Sequence, residues 1–305
     1  MPERNHVVAV VGPTASGKSS LALRIAQRLG TAEVVNADSM QLYRGMDIGT
    51  AKPSIEERAL LPHHLFDVLD VTEDASVAEF QQQARTVIAD RHARGVTPVL
   101  VGGSALYVRA VLDRLDFPGT DPAVRLWWAG ELERRGHEAL HAELARRDPA
   151  AAAQILPTNG RRIVRALEVG ELTGRPFVAS MPPLESIYDD LTMLGLDVPR
   201  DVLEPRLSDR VDQMWADGFV DEVRGLLPAG IEGSLTASRA LGYQQILGFL
   251  RGEMTEDEAR VATVTGTRKF ARRQDRLFRK DPRVHWLPSG ADDLLERAMS
   301  LVAPR

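Results

Sequence analysis

The chain has 305 residues, 44% of them apolar, no cysteine and a net charge of −5. That length supports one large or two modest domains with a full core, and the lack of thiols excludes disulfides, thiolate metal sites and a thiol nucleophile. No apolar run approaches the roughly 18 residues that span a bilayer, and residues 1–5 are too polar and short for a signal peptide; a cytoplasmic protein without membrane contact is expected, and the acidic balance argues against a nucleic-acid binder that uses its whole surface.

Residues 7–11 form an apolar, β-rich run, residues 20–29 a helical one, and between them lie Gly12, Pro13, Thr14, Ala15, Ser16, Gly17, Lys18 and Ser19. This is the P-loop spacing in its strand, loop and helix context. Glycines permit the tight turn, inward-facing N–H groups and the helix N-terminus supply partial positive charge, and Lys18 adds a full one, so the loop predicts a diphosphate cradle. Further β-rich runs follow at 33–37, 66–71, 98–101, 193–198 and 284–287, with helical patterns between them. Strand alternating with helix predicts an α/β fold: a P-loop NTPase-like parallel sheet core whose ligands sit at the carboxyl ends of the strands, where Gly12, Asp38 and Gly102 fall.

From about 118 to 175 the pattern is helical only, with Asp121-Pro122 and Asp148-Pro149 as starts and Gly136 and Gly174 as stops. Because a strand returns at 193–198, the simplest organisation is a core of residues 1–117 and 190–305 interrupted by a helical insertion domain at 118–189; a second independent domain is the alternative. Residues 200–224 and 255–280 are again helical.

Asp38, at the end of the second strand, suits a general base, a magnesium ligand through water, or a helix N-cap. A motor NTPase carries a metal-binding Asp at the end of a second apolar strand, whereas here 99–101 ends in Gly102-Gly103-Ser104, which favours close approach of a ligand or a neighbouring backbone. The protein-kinase motif set is also missing. Group transfer from a diphosphate ester fits better than ATP hydrolysis. Arg206 and Arg210 lie one turn apart on a helix and suit either phosphate or surface ion pairs. Arg161, Arg162 and Arg165 cluster within about one turn, with Glu168 and Glu171 as possible partners. Between 268 and 283 there are eight Lys or Arg against two Asp, and Arg268, Arg272, Arg276 and Arg279 make a stripe that suggests phosphate contact. His63-His64 has no second cluster for zinc, and Trp127 and Trp128 read as core or half-buried residues, with base stacking as the alternative.

Six motifs in order, GPTASGKS at 12–19, DSMQLY at 38–43, GMDIGTAKP at 45–53, GGSALYVRA at 102–110, RRIVRALEV at 161–169 and GYQQ at 242–245, make the chain resemble the bacterial tRNA dimethylallyltransferases over almost its whole length. The resemblance implies transfer of a dimethylallyl group from dimethylallyl diphosphate to N6 of the adenosine just 3′ of the anticodon. It implies catalytic roles for Asp38 and Thr14, diphosphate contacts from the P-loop residues with Arg206 and Arg210, and Mg2+ on Ser19. It places tRNA contacts at Asp38, Ser39, Met40, Gln41, Ser104, Arg125, Arg161, Arg162, Ile163, Val164 and Arg165, with the insertion receiving the anticodon stem-loop of the tRNA, and a monomer is expected. The chain departs from the family pattern at Leu277, usually aromatic, and at Asp275, usually apolar. Prenyl transfer to a free adenine nucleotide, an ATP-dependent small-molecule kinase and a non-catalytic RNA-binding module are the competing readings.

Overall fold

The computed structural model describes residues 5–178 and 182–302; residues 1–4 of the polar N-terminus lie outside the described residues. Contacts divide the chain into two compact units, one of residues 1–113 and 186–305 and one of residues 114–185.

The first unit is built on β1 (His6–Val11), α1 (Lys18–Leu29), β2 (Ala32–Asn36), α2 (Ile55–Leu60), β3 (His63–His64), α3 (Val77–Ala93), β4 (Thr97–Gly102) and α4 (Ala105–Leu112). Its six strands are all parallel, in the order β3-β2-β4-β1, then β5 (Asp190–Asp197) and β6 (Val284–Pro288). From β1 the chain passes to β2 and the edge strand β3 and then returns to place β4 beside β1; α1, after β1, covers one face of the sheet and α4, after β4, the other, so β1 and β4 flank the switch point, where such folds place their ligands. Residues 7–11 are wholly buried because β1 is covered on both faces. Val7, Ala9 and Val11 pack with Ile88 of α3 and Val108 of α4, whereas Val8 and Val10 pack with Leu21 and Ile25 of α1.

The run at 66–71 is not a strand. Leu65 and Asp67 both adopt positive φ, 63° and 56°, which turns the chain out of the sheet. The Asp67 carboxylate accepts from Lys52 and Arg58, each at 2.6 Å, and the edge position goes to His63 and His64, which pair with Val34 and Val35. Only a single bridge, Tyr43 to Leu69, remains of the expected pairing.

The second unit is helical: α5 (Pro122–Arg135), α6 (His137–Arg147), α7 (Pro149–Gln154) and α8 (Gly160–Thr173). Asp121 and Asp148 cap α5 and α7, each followed by proline in the first turn, and Gly136 and Gly174 end α5 and α8. Trp128 is buried against Leu140, Leu144 and Ile163. Trp127 differs from expectation: it is 56% exposed and meets Trp128 only edge-on.

After β5 the first unit continues with α9 (Arg200–Ala216), α10 (Phe219–Leu226), α11 (Tyr243–Leu250) and α12 (Glu256–Phe278), then β6 and α13 (Leu294–Val302). The single helix expected over 200–224 is broken at Gly218, whose φ of 97° no helix accommodates.

Candidate active site

The P-loop closes as its composition requires. Gly12, Ala15 and Gly17 take positive φ of 141°, 60° and 94°, bending the backbone around a concave floor. The amides of Ala15, Gly17, Lys18 and Ser19 donate to no acceptor among the described residues, which leaves a row of N–H groups at the start of α1 free for an anion. Thr14, Ala15, Gly17, Lys18 and Ser19 line one cavity with Asp38, Gln41, Val101, Gly102 and Arg210. Ser16 does not line it; its buried hydroxyl has no hydrogen-bond partner.

Lys18 donates to the Pro13 carbonyl at 3.3 Å. Burial brings its pKa down to about 8, with Asp38 supporting its charge and Arg210 opposing it. Arg210 is likewise lowered by burial and supported by Asp38. Two cations and one carboxylate therefore sense one another across the cavity. No carboxylate pairs with Arg206 or Arg210 among the described residues; Glu204 pairs instead with Arg200 and Arg272, and Asp212 with Arg260. The structure brings Arg210 to the cavity but leaves Arg206 exposed and outside its lining.

Asp38 is held by its neighbours. Its N–H donates to Asn36 Oδ1 at 2.8 Å, and Asn36 Nδ2 donates to the Asp38 and Leu65 carbonyls at 3.0 and 2.9 Å. One carboxylate oxygen accepts from Met40 N at 3.0 Å, so the capping role is that of an Asx-turn with no helix behind it. The buried Asn36 thus fixes the backbone that carries Asp38. Gln41 is nearly buried, and its Nε2 donates to the carbonyls of Thr50 and Ala51 at 3.1 and 3.2 Å; only its Oε1 remains for a base edge. The 45–53 segment that forms this wall is held further by Glu222, whose carboxylate accepts from the amides of Asp47, Ile48 and Gly49.

The close approach expected at Gly102-Gly103 is real. A Cβ on Gly102 would lie 2.4 Å from the Ala37 carbonyl oxygen, and one on Gly103 would lie 2.4 Å from Gln274 Nε2. What crowds this strand end is the β2 terminus and a side chain of α12. Ser104 begins α4 without a capping hydrogen bond from its side chain.

The cavity is lined by oxygen-bearing side chains of Thr14, Ser19, Ser20, Asp38, Gln41, Thr50 and Glu57, among which the Ser19 hydroxyl and the Asp38 carboxylate are the pair expected to serve Mg2+. Such a set fits magnesium, which takes one or two protein oxygens and completes its shell with water and substrate phosphate. No group of three or more His, Asp or Glu side chains suited to a metal ion occurs among the described residues.

In the helical unit the arginine cluster divides. Glu168 is fully buried and accepts from Thr120, the Asp121 amide, Arg125 and Arg165 at 2.6–3.1 Å, which holds its carboxyl below the usual range although burial opposes this. Arg165 also donates to the Pro118 and Gly119 carbonyls. Arg161 is exposed with no partner among the described residues, and Arg162 is also exposed. Ile163 and Val164 are 0% and 7% exposed, and their side chains belong to the core of the unit.

The basic stripe of α12 is also displaced. Arg268 donates to Ser208, Arg272 pairs with Glu204, and Arg279 pairs with Asp197 and stacks 3.8 Å over the Trp286 ring. The cations without a partner among the described residues are Lys269, Arg273, Arg276 and Lys280, again at helical spacing, flanked by the partly exposed Phe270 and Leu277. The residue that sequence reasoning missed is Gln274. Its signal is the buried series Thr263, Thr267, Ala271, Gln274 and Phe278, in which a glutamine occupies an inward-facing position of the helix.

A parallel sheet with a P-loop at its switch point, and glycine where a motor NTPase has its metal-binding acid, defines an α/β protein built on a P-loop core. The model of the IPP transferase family matches residues 41–281. The tRNA dimethylallyltransferase of Thermobifida fusca is 61% identical over 97% of this chain and 94% of its own, and that of Streptomyces coelicolor is 60% identical over 99% and 97%. The tRNA isopentenylpyrophosphate transferase of Bacillus halodurans superposes with a TM-score of 0.73 at 40% identity, over 98% of this chain and 96% of that one. A eukaryotic dimethylallyltransferase acting on tRNA gives a TM-score of 0.80 at 26% identity, over 96% and 77%. The chain belongs to the IPP transferase family. No helix among the described residues is long and apolar enough to cross a membrane.

Proposed function

We propose that this protein transfers the dimethylallyl group of dimethylallyl diphosphate to N6 of the adenosine 3′ of a tRNA anticodon, releasing diphosphate. The observation that carries the reading is the facing of Asp38 toward an anion cradle: a carboxylate, Lys18 and Arg210 share one cavity with free P-loop amides. The relatives named above support the substrate classes. The adenine amino group is a weak nucleophile because its lone pair is delocalised into the ring, and a positioned carboxylate that accepts its proton assists attack. N6 bonds to the allylic carbon, the C–O bond to diphosphate breaks, and the N6 proton passes to Asp38. Lys18, Arg210 and the P-loop amides hold the charge that grows on the leaving oxygen, with the Thr14 hydroxyl beside them. Ser19, with Asp38 through water, would hold Mg2+, which when bound supplies further neutralisation of diphosphate.

The target base lies within a stacked loop and must be extruded to reach Asp38. The helical unit, with Arg161, Arg162 and the Glu168-anchored Arg125 and Arg165, is read as the platform for the anticodon stem-loop, and the free α12 stripe as a second contact. The protein acts in the cytoplasm as a monomer.

Incubation with labelled dimethylallyl diphosphate and unmodified tRNA is expected to yield N6-dimethylallyl-adenosine, and AMP is expected to compete poorly. Folded protein that transfers no label, or ATP binding far tighter than that of the prenyl donor, overturns the assignment. Replacing Lys269, Arg273, Arg276 and Lys280 together by glutamine is expected to weaken tRNA binding and flatten its salt dependence by roughly 0.7–0.9 in log–log slope per lost phosphate contact. An unchanged slope would remove the stripe from the interface.

A further inference from the structure

Gln274 lies in α12, 260 residues away in sequence from the P-loop, yet its Oε1 accepts the N–H of Thr14 at 2.9 Å. It is 4% exposed. The hydrogen bond occupies the amide just ahead of the free row at Ala15, Gly17, Lys18 and Ser19, so it pins the loop without competing for that row. Gly103 leaves the space that the Gln274 amide fills, since a Cβ there would stand 2.4 Å from Nε2. α12 also ties down α9 through Arg268 to Ser208 and Arg260 to Asp212, the residues two before and two after Arg210.

We infer that Gln274 is a positioning residue for the diphosphate site: it clamps Thr14 so that the following amides face the anion, and through α12 it keeps the P-loop in register with Arg210. This deepens the reading of the cavity as a diphosphate site and rests on it. A glutamine buried only for packing would be replaceable by a residue of equal shape, whereas a clamp requires the acceptor oxygen.

The test uses the full chain and inorganic diphosphate as the calorimetric probe. Gln274→Met keeps shape and removes the acceptor. It is expected to weaken diphosphate binding about tenfold, in line with loss of one hydrogen bond, and to raise the KM for the prenyl donor similarly. Its tRNA affinity should stay within about threefold of wild type, while the Thr14 amide exchanges with solvent at least tenfold faster. Gln274→Glu retains an acceptor and is expected to restore Thr14 protection. Gly103→Ala, which displaces the glutamine amide, is expected to reproduce the loss in the wild-type background and to add little to Gln274→Ala, the non-additivity of residues acting as one unit. Unchanged Thr14 exchange and diphosphate affinity in folded Gln274→Met, or full additivity of Gly103→Ala with Gln274→Ala, overturns the inference. Wild-type protein that binds diphosphate but prenylates no tRNA overturns the proposed function instead, and the same titrations still decide the role of Gln274.

Discussion

Replacing Asp38 by asparagine is expected to slow prenyl transfer by about 10²–10⁴-fold, the range associated with loss of a positioned general base, with tRNA and donor binding largely retained. The substitution is nearly isosteric, and the scaffold does not depend on the charge. Asn36 brackets the Asp38 backbone from both sides, and the bond from Met40 N needs only an oxygen acceptor, which asparagine keeps. What is lost is the capacity to take the N6 proton. Removing a negative charge also leaves Lys18 and Arg210 facing the cavity with less compensation, so the diphosphate should bind as well as before or more tightly. Single-turnover transfer at saturating donor and tRNA, with tRNA binding measured separately, checks both halves. Transfer within tenfold of wild type would show that another group accepts the proton.

Most of the sheet and the cradle were legible because they rest on local signals: an apolar run before a glycine-rich loop, Asp-Pro helix starts, glycine stops. The failures arose where tertiary contacts decide. The apolar content of 66–71 suggests a strand, but Asp67 is drawn aside by Lys52 and Arg58 and the backbone turns through two left-handed residues. Trp127 and Trp128 are indistinguishable as adjacent aromatics, and only the register of α5 on its neighbours buries the second and exposes the first. The α12 stripe shows the same limit more sharply. Helical spacing announces a basic face, yet several equally periodic choices exist within so dense a run, and carboxylates distant in sequence, Glu204 and Asp197, pair with two members of the one that looked regular, Arg272 and Arg279. The Gly102-Gly103 pair announced close approach without naming the approaching group, because Ala37 and Gln274 come from elements far from it in the chain.

Lys18→Met is expected to lower kcat/KM for the prenyl donor about 10²–10³-fold, comparable with removal of one preorganised contact to a developing oxyanion, with tRNA affinity unchanged. The same side chain predicts a pH dependence with a definite sign. Burial lowers the Lys18 pKa to about 8 in the donor-free protein; the ammonium form is the one that attracts diphosphate, and it is lost as pH rises through that value. The kcat/KM for the donor should therefore fall above about pH 8. With donor saturating, the bound diphosphate stabilises the ammonium and raises its pKa, so kcat should hold to higher pH. The two neighbours move this limb in opposite directions. Asp38→Asn removes the charge that supports the ammonium and should shift the fall to lower pH, whereas Arg210→Ala removes a repelling cation and should shift it upward, although it weakens diphosphate binding overall. Lys18→Met should abolish the limb. Profiles of kcat/KM between pH 6.5 and about 9.5 for the wild type and these three variants check the set; an alkaline fall that survives Lys18→Met would assign it to another group.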